Sequence, residues 1–315
     1  MAAVDNRRKL DICRPSVFKK TVDGGAGGSS GVNDVINKNN GSKAKIEAYL
    51  GVEQRKDALR GANYVVDAIQ VGGYDPCTIT DFEIPKKYGL RQTIADTLGI
   101  GGIFRALRTI PVLFDFAKDM EEVCPDAWFL NYTNPMAICV NTLYKTFPGI
   151  KAFGCCHEVF GTQSLLGIAL KEATGIEAKR DEISVNVVGV NHFTWLTRAQ
   201  YKNIDLLPLY KDFCEKHYDD AAGKAADDNW ANKQWQTTNK VKKDLFLRYG
   251  YIAAAGDRHL AEFCPSNWYM SSPEMVDSWG FSLTPVSWRK DRTKDLIAQS
   301  EKMVKREQKF EIKPS

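Results

Sequence analysis

Apolar residues along the chain come in short runs separated by polar punctuation. The runs Tyr64-Val-Val-Asp-Ala-Ile-Gln-Val71, Asp126-Ala-Trp-Phe-Leu-Asn131 and Gly149-Ile-Lys-Ala-Phe-Gly154 have the length of strands. Between them, residues 103–120 carry apolar positions at helical spacing. Residues 135–144 read as a helix with Pro135 near its first turn. Residues 52–59 read as a further helix, followed by Arg60 and Gly61 as stop signals. Strands alternating with helices predict βαβ units around a parallel sheet, an α/β fold. In such sheets ligands sit beyond the carboxyl ends of the strands. That rule singles out Gln70, Asn131, Asn134, Cys156 and His157.

On either side of this region the texture differs. Residues 45–50 alternate like a strand. Upstream, the Gly/Ser run at 23–31 lies between strand-like residues 17–22 and helix-like residues 32–36. Its spacing Gly25-x-Gly27-x-x-Ser30 falls short of a full phosphate-cradling G-x-G-x-x-G, and it reads first as a loop. After residue 180 the regular alternation ends. Residues 183–190 alternate like a strand and lead into Asn191-His192. Residues 206–241 are polar and charged, as in solvated helices or a lid. Residues 245–263 are apolar again, broken by Gly256-Asp257-Arg258-His259, and residues 302–315 read as a charged helix or tail.

Composition narrows the classes. The chain has 315 residues, 43% hydrophobic and 26% charged, as in an ordinary globular protein. A net charge of +4 over this length is no nucleic-acid footprint, and no run is long enough to span a membrane. Eight cysteines are too sparse for a disulfide scaffold. With no apolar leader in the first 20 residues, the expected location is cytoplasmic.

Three of the four histidines, His157, His192 and His259, lie in polar punctuations, while His217 lies in a solvated charged run. Cys156 directly precedes His157, and thiolate and imidazole are good ligands for first-row metals. Cys156 and His192 are far apart, so a buried cysteine and a hydrogen-bonded histidine remain the simpler reading. Asp96-Thr-Leu-Gly-Ile-Gly-Gly102 is either a helix entry or a turn of backbone N–H groups facing a ligand. Asp257, Arg258, His259 and Glu262 form either a surface ion-pair cluster or, as their apolar flanks favour, a partly buried group.

Seven segments in order resemble glycoside hydrolase family 4, the NAD- and divalent-metal-dependent glycosidases. They are Ile69-Gln-Val-Gly-Gly73, Asp96-Thr-Leu-Gly-Ile-Gly-Gly102, Leu107-Arg-Thr-Ile-Pro111, Asn131-Tyr-Thr-Asn-Pro135, Cys156-His-Glu-Val159, Asn191-His192 and Gly256-Asp-Arg-His259. The resemblance implies a Rossmann-like parallel sheet over residues 1–180 and an α+β domain for substrate and metal over 181–315. It implies NAD and Mn²⁺ as cofactors, a small-molecule sugar as substrate and a homo-oligomer. It also implies a redox-elimination route, in which a hydride leaves sugar C3 for NAD, a base removes the C2 proton, the C1–O bond breaks, water adds and the hydride returns.

By the same resemblance Cys156 and His192 are the metal ligands, and His157 is the acid that protonates the leaving group. Tyr251 and Asp257 are rival bases, with Tyr249 near them. Gln70, Val71, Gly72 and Asn131 face the dinucleotide, while Asn134, Arg91, Arg258 and His259 face the sugar. Cys156-His-Glu-Val159 resembles the subgroup acting on α-galacturonides, with plain α-galactosidase as the nearest rival. A uronic carboxylate needs a cationic partner, such as Arg258 or Arg91. Residues 4–10 resemble the stretch after the family's second strand, so the first strand and its Gly-rich turn are expected to be missing, and the C-terminal end shortened. Two rival functions stand beside the glycosidase: a dehydrogenase of a small hydroxy acid, and an inactive family remnant.

Overall fold

The computed structural model describes residues 47, 49, 51–220, 238–283 and 286–304. The readings of residues 17–36 and 4–10, most of 45–50, part of 206–241 and the end of the tail fall outside these. The chain divides into two compact units, one of residues 1–84, 100–155 and 285–315, the other of 85–99 and 156–284.

The first unit is built on a parallel sheet. Strands β1 (Tyr64–Asp67), β2 (Trp128–Asn131) and β3 (Lys151–Gly154) lie in that order. The register sets Val65 beside Phe129 and Phe129 beside Ala152. All three are buried, which makes one row of the sheet a core row. Ahead of β1 lies the short helix α1 (Arg55–Leu59), and after it comes α2 (Ile79–Lys87). Helix α3 (Gly99–Val123) and helix α4 (Met136–Thr146) follow β1 and β2 and supply the crossovers. Ala106, Thr109, Leu113, Phe116, Ala117 and Met120 of α3 are buried at helical spacing, and Cys139 and Leu143 do the same on α4.

β1 ends at Asp67, four residues before the apolar run does. The Ile69 amide donates to Thr133 Oγ1 at 3.0 Å rather than to a neighbouring strand. The chain then turns, with Gly73 N donating to Gln70 O. Gly72 has φ +79°, and a Cβ there would collide with Cys77 Sγ, so this turn requires glycine.

The second unit begins with α5 (Glu158–Thr174). Strands β4 (Ile183–Val190) and β5 (Phe193–Tyr201) form an antiparallel hairpin, from Ile183 opposite Tyr201 to Val190 opposite Phe193. β6 (Ile204–Asp205) and β7 (Ile252–Ala253) both pair with β5. Helix α6 (Leu206–Lys216) is capped by Asp205, which accepts from Leu207 N. Helices α7 (Lys240–Tyr249), α8 (Asp257–Phe263), α9 (Ser266–Tyr269) and α10 (Pro273–Ser278) follow among the described residues of the unit. Leu166 and Leu170 of α5 pack with Ile183, Leu196 and Tyr210, so α5 shares its core with the hairpin and α6. A second core gathers Val241, Leu245, Ala253, Leu260 and Tyr269. A last helix, α11 (Val286–Val304), belongs to the first unit. Among the described residues no helix is long and apolar enough to cross a membrane.

Candidate metal centre and active site

Three segments of the second unit converge on one point. Asp96 comes from the segment 85–99, His192 from the turn between β4 and β5, and His259 from the first turn of α8. One ligand atom from each lies within 4.8 Å of the others, and all three residues are buried. Donors on a shared first-row cation, with bonds of roughly 2.1 Å, stand about 3–4 Å apart. Small side-chain movements therefore close this set on one ion. Carboxylate plus two imidazoles is a donor set that suits Mn²⁺ or its neighbours.

The two imidazoles are stacked, with centroids 3.9 Å apart and planes 17° from parallel. Face-to-face rings do not tolerate two positive charges. Burial pushes the His192 pKa down, only partly offset by the Asp96 and Glu158 carboxylates, so its ring favours the neutral, ligating form. Thr97 Oγ1 lies 2.8 Å from His192 Nδ1 and donates to Asp96 Oδ1 at 2.9 Å. With the hydroxyl proton on Asp96, His192 Nδ1–H donates to Thr97 and Nε2 keeps its lone pair for a metal.

Cys156 sits just before α5, partly buried. Burial pushes its thiol pKa up, and the Glu158 and Asp96 carboxylates add to that. The Glu158 backbone and the Asn191 side chain, one residue from His192, hydrogen-bond the sulfur and pull the other way. A thiolate here needs a cation beside it. Glu158 also joins the centre to α8, because Oε2 accepts from Gly256 N at 2.8 Å and Oε1 lies 3.6 Å from His259 Nε2.

Helix α8 forms a polar wall of the centre. Asp257 is fully buried and accepts from Lys242 N at 3.0 Å. Arg258 is buried and donates from Nη2 to Thr93 O at 3.4 Å, while Thr93 Oγ1 donates to Arg258 O. The burial that the apolar flanks of 257–262 favour is thus present. Lys242 Nζ is enclosed, donating to Thr162 Oγ1 and Ala254 O, and burial pushes its pKa down.

The remaining residues singled out in the sequence are placed more loosely. His157 is exposed at the N-cap of α5. Tyr251 is half exposed and lines, with Tyr249, Trp195 and Trp268, a pocket of about 540 Å³. Arg91 donates to the Ser271 carbonyl at 2.9 Å. In the first unit, Gln70 Nε2 donates to Thr78 Oγ1, Val71 O accepts from Arg108 Nε, and Gly72 makes the left-handed turn after β1. Asn134 O accepts from Arg105 Nε. Asn131 is fully buried, its Nδ2 donating to Thr133 O. Asp96, Thr97 and Glu158 take positions that sequence reasoning did not assign them. The signal for Asp96 was its place at the head of a Gly-rich turn.

A profile described as "Family 4 glycosyl hydrolase" matches residues 28–172, and one for the family's C-terminal domain matches residues 187–313. The chain belongs to glycosyl hydrolase family 4. An alpha-galacturonidase of Thermoanaerobacter italicus is 52% identical over 90% of this family 4 chain and 61% of its own length. An alpha-galacturonidase of Bacillus subtilis is 42% identical over 86% of the chain and 59% of its own length. The crystal structure of the Bacillus subtilis protein lplD superposes with a TM-score of 0.78 at 40% identity, covering 87% of this chain and 62% of that one. A 6-phospho-alpha-glucosidase from gut microorganisms, solved with NAD and Mn²⁺, shares the fold with a TM-score of 0.67 at 16% identity, over 89% of this chain and 59% of that one. The family 4 chain thus spans about three fifths of the length of these relatives.

Proposed function

We propose that this chain carries the metal and sugar chemistry of an α-galacturonidase that uses NAD and a divalent metal. The observation that carries the reading is the buried Asp96–His192–His259 set. The names of the relatives at 42–52% identity supply the substrate class. In this reading His192 and Cys156 hold the metal, with Asp96 and His259 completing the donor set. A metal bound there would act as a Lewis acid on sugar hydroxyl oxygens. NAD would supply the hydride acceptor at the carboxyl ends of β1 and β2, beside Gln70, Val71, Gly72 and Asn131.

The chain's own residues have these tasks. Arg258 or Arg91 pairs the uronic carboxylate, and Asn134 bonds a sugar hydroxyl. Tyr251 or Asp257 takes the C2 proton. Asp257 is fully buried, whereas Tyr251 is half exposed, and that favours the tyrosine as the group that meets solvent-borne substrate. His157, exposed at the head of α5, gives a proton to the leaving oxygen. The unit of residues 1–84, 100–155 and 285–315 serves the dinucleotide, and that of 85–99 and 156–284 serves metal and sugar. A cytoplasmic homo-oligomer is part of the same reading.

The test is hydrolysis of p-nitrophenyl α-D-galacturonide and α-D-galactoside with NAD, Mn²⁺ and a reducing thiol, each omitted in turn. The reading predicts turnover of the galacturonide that vanishes without NAD and without metal. Turnover indifferent to both, or net accumulation of NADH, contradicts it, the latter in favour of a dehydrogenase.

A further inference from the structure

A partly buried carboxylate outside the donor set binds the backbone just before Asp96. Glu262, in the last turn of α8, reaches back to the segment 93–95. Its Oε1 accepts from three consecutive backbone amides, Thr93 N at 2.5 Å, Ile94 N at 2.9 Å and Ala95 N at 3.1 Å, and Oε2 takes Ala95 N at 3.3 Å. Three converging N–H groups form an anion nest, and a carboxylate is the side chain that fills one.

The nest matters because of the residue at its end. Ala95 has φ +55°, the left-handed region that a residue with a Cβ adopts only at a cost of about 1 kcal/mol or more. Asp96 follows directly, and Thr97 then meets both Asp96 and His192. If Ala95 relaxed to an ordinary φ, the Asp96 carboxylate would swing away from the imidazoles. The same helix face holds the segment a second time through Arg258 and Thr93, four residues before Glu262. Helix α8 thus carries His259 and fixes the approach of Asp96.

We infer that Glu262 is a positioning residue for the metal centre: by binding the amides of Thr93, Ile94 and Ala95 it holds Ala95 left-handed and so places Asp96 against His192 and His259. The inference rests on the metal reading of that cluster. The hydrogen bonds of Glu262 go to the backbone of 93–95, and its carboxylate also feels the charge of Asp96, an effect that Glu262→Gln separates from the backbone one.

Ala95→Gly separates this role from a general contribution to folding, because glycine adopts φ +55° freely. The readout is the Kd for Mn²⁺, measured by electron paramagnetic resonance of the free ion, alongside the urea midpoint of each variant. Glu262→Met is expected to weaken Mn²⁺ binding by about 10- to 100-fold, the range for loss of a group that orients a ligand. Glu262→Gln, which keeps one carbonyl oxygen for the three amides, is expected to stay within a few-fold of wild type. Ala95→Gly added to Glu262→Met is expected to recover most of the lost affinity without recovering the urea midpoint. Unchanged affinity in Glu262→Met, or affinity that follows the urea midpoint and ignores Ala95→Gly, overturns the inference. Absence of Mn²⁺ binding by the wild-type chain overturns the metal reading instead, and the two failures are distinct.

Discussion

Asp67 lies fully buried at the carboxyl end of β1, and among the described residues neither of its oxygens has a well-formed hydrogen bond. Burial pushes its carboxyl pKa up to about 6, and the Thr133 hydroxyl and Ile69 amide only weakly oppose this. The folded state therefore holds a proton between about pH 4 and 6 that the unfolded state has released. Its contribution to stability is full below the unfolded value and is lost as pH rises through about 6, a change of roughly 3 kcal/mol. In urea unfolding, the stability of Asp67→Asn relative to wild type should rise by up to about that amount from about pH 4 to about pH 7. A difference that stays constant over this range contradicts the assignment. At the same scale, periodicity did not reveal Asp96 as a member of the His192–His259 cluster. Its partners His192 and His259 lie 96 and 163 residues away, and no local pattern records a contact of that range.

At the scale of elements, β2 and β3 were legible because their burial alternates locally, whereas Ile183–Val190 is a strand at the bounds read from the sequence although only Ile183 is buried in it. β1 and α3 deviate where glycine acts. The turn at Gly72 shortens the strand, and α3 starts at Gly99, with Gly101 and Gly102 buried inside its first turns. The joint between α5, α7 and β7 is another feature with no local signal. There the Thr162 hydroxyl donates to Ala254 O and accepts from the enclosed Lys242 ammonium. Thr162→Val removes an acceptor from a buried charge and should lower stability by about 1–3 kcal/mol in urea unfolding. In β5, Leu196 is fully buried in the core shared with α5 and α6, and Leu196→Ala should cost about 2–5 kcal/mol. A loss under about 1 kcal/mol at either site would mean that the side chain is not held as tightly as its burial implies.

For the whole molecule, the pattern along the chain placed one boundary at 180, whereas the compact units interleave. Residues 85–99 are an excursion from the first unit, and α5 packs on the β4–β5 hairpin. A helix of a βαβ pattern looks the same in sequence whichever core it joins, so hydrophobic periodicity does not show the exchange. The excursion brings Asp96 and Thr97 to histidines encoded far downstream. On the proposed metal reading, metal binding and the stability of the second unit are linked. At about 100 times its Kd, Mn²⁺ should stabilise that unit by about 2.7 kcal/mol, seen as a metal-dependent rise in the midpoint of thermal unfolding.

The central claim is that Asp96, His192 and His259, with Cys156, hold one divalent ion. Equilibrium dialysis against Mn²⁺ under reducing conditions tests it most directly, with wild type beside His192→Ala and Cys156→Ser. The account predicts one ion per chain in wild type, none retained by His192→Ala, and weakened retention in Cys156→Ser. Wild type that binds no Mn²⁺, or His192→Ala that binds as tightly as wild type, contradicts it.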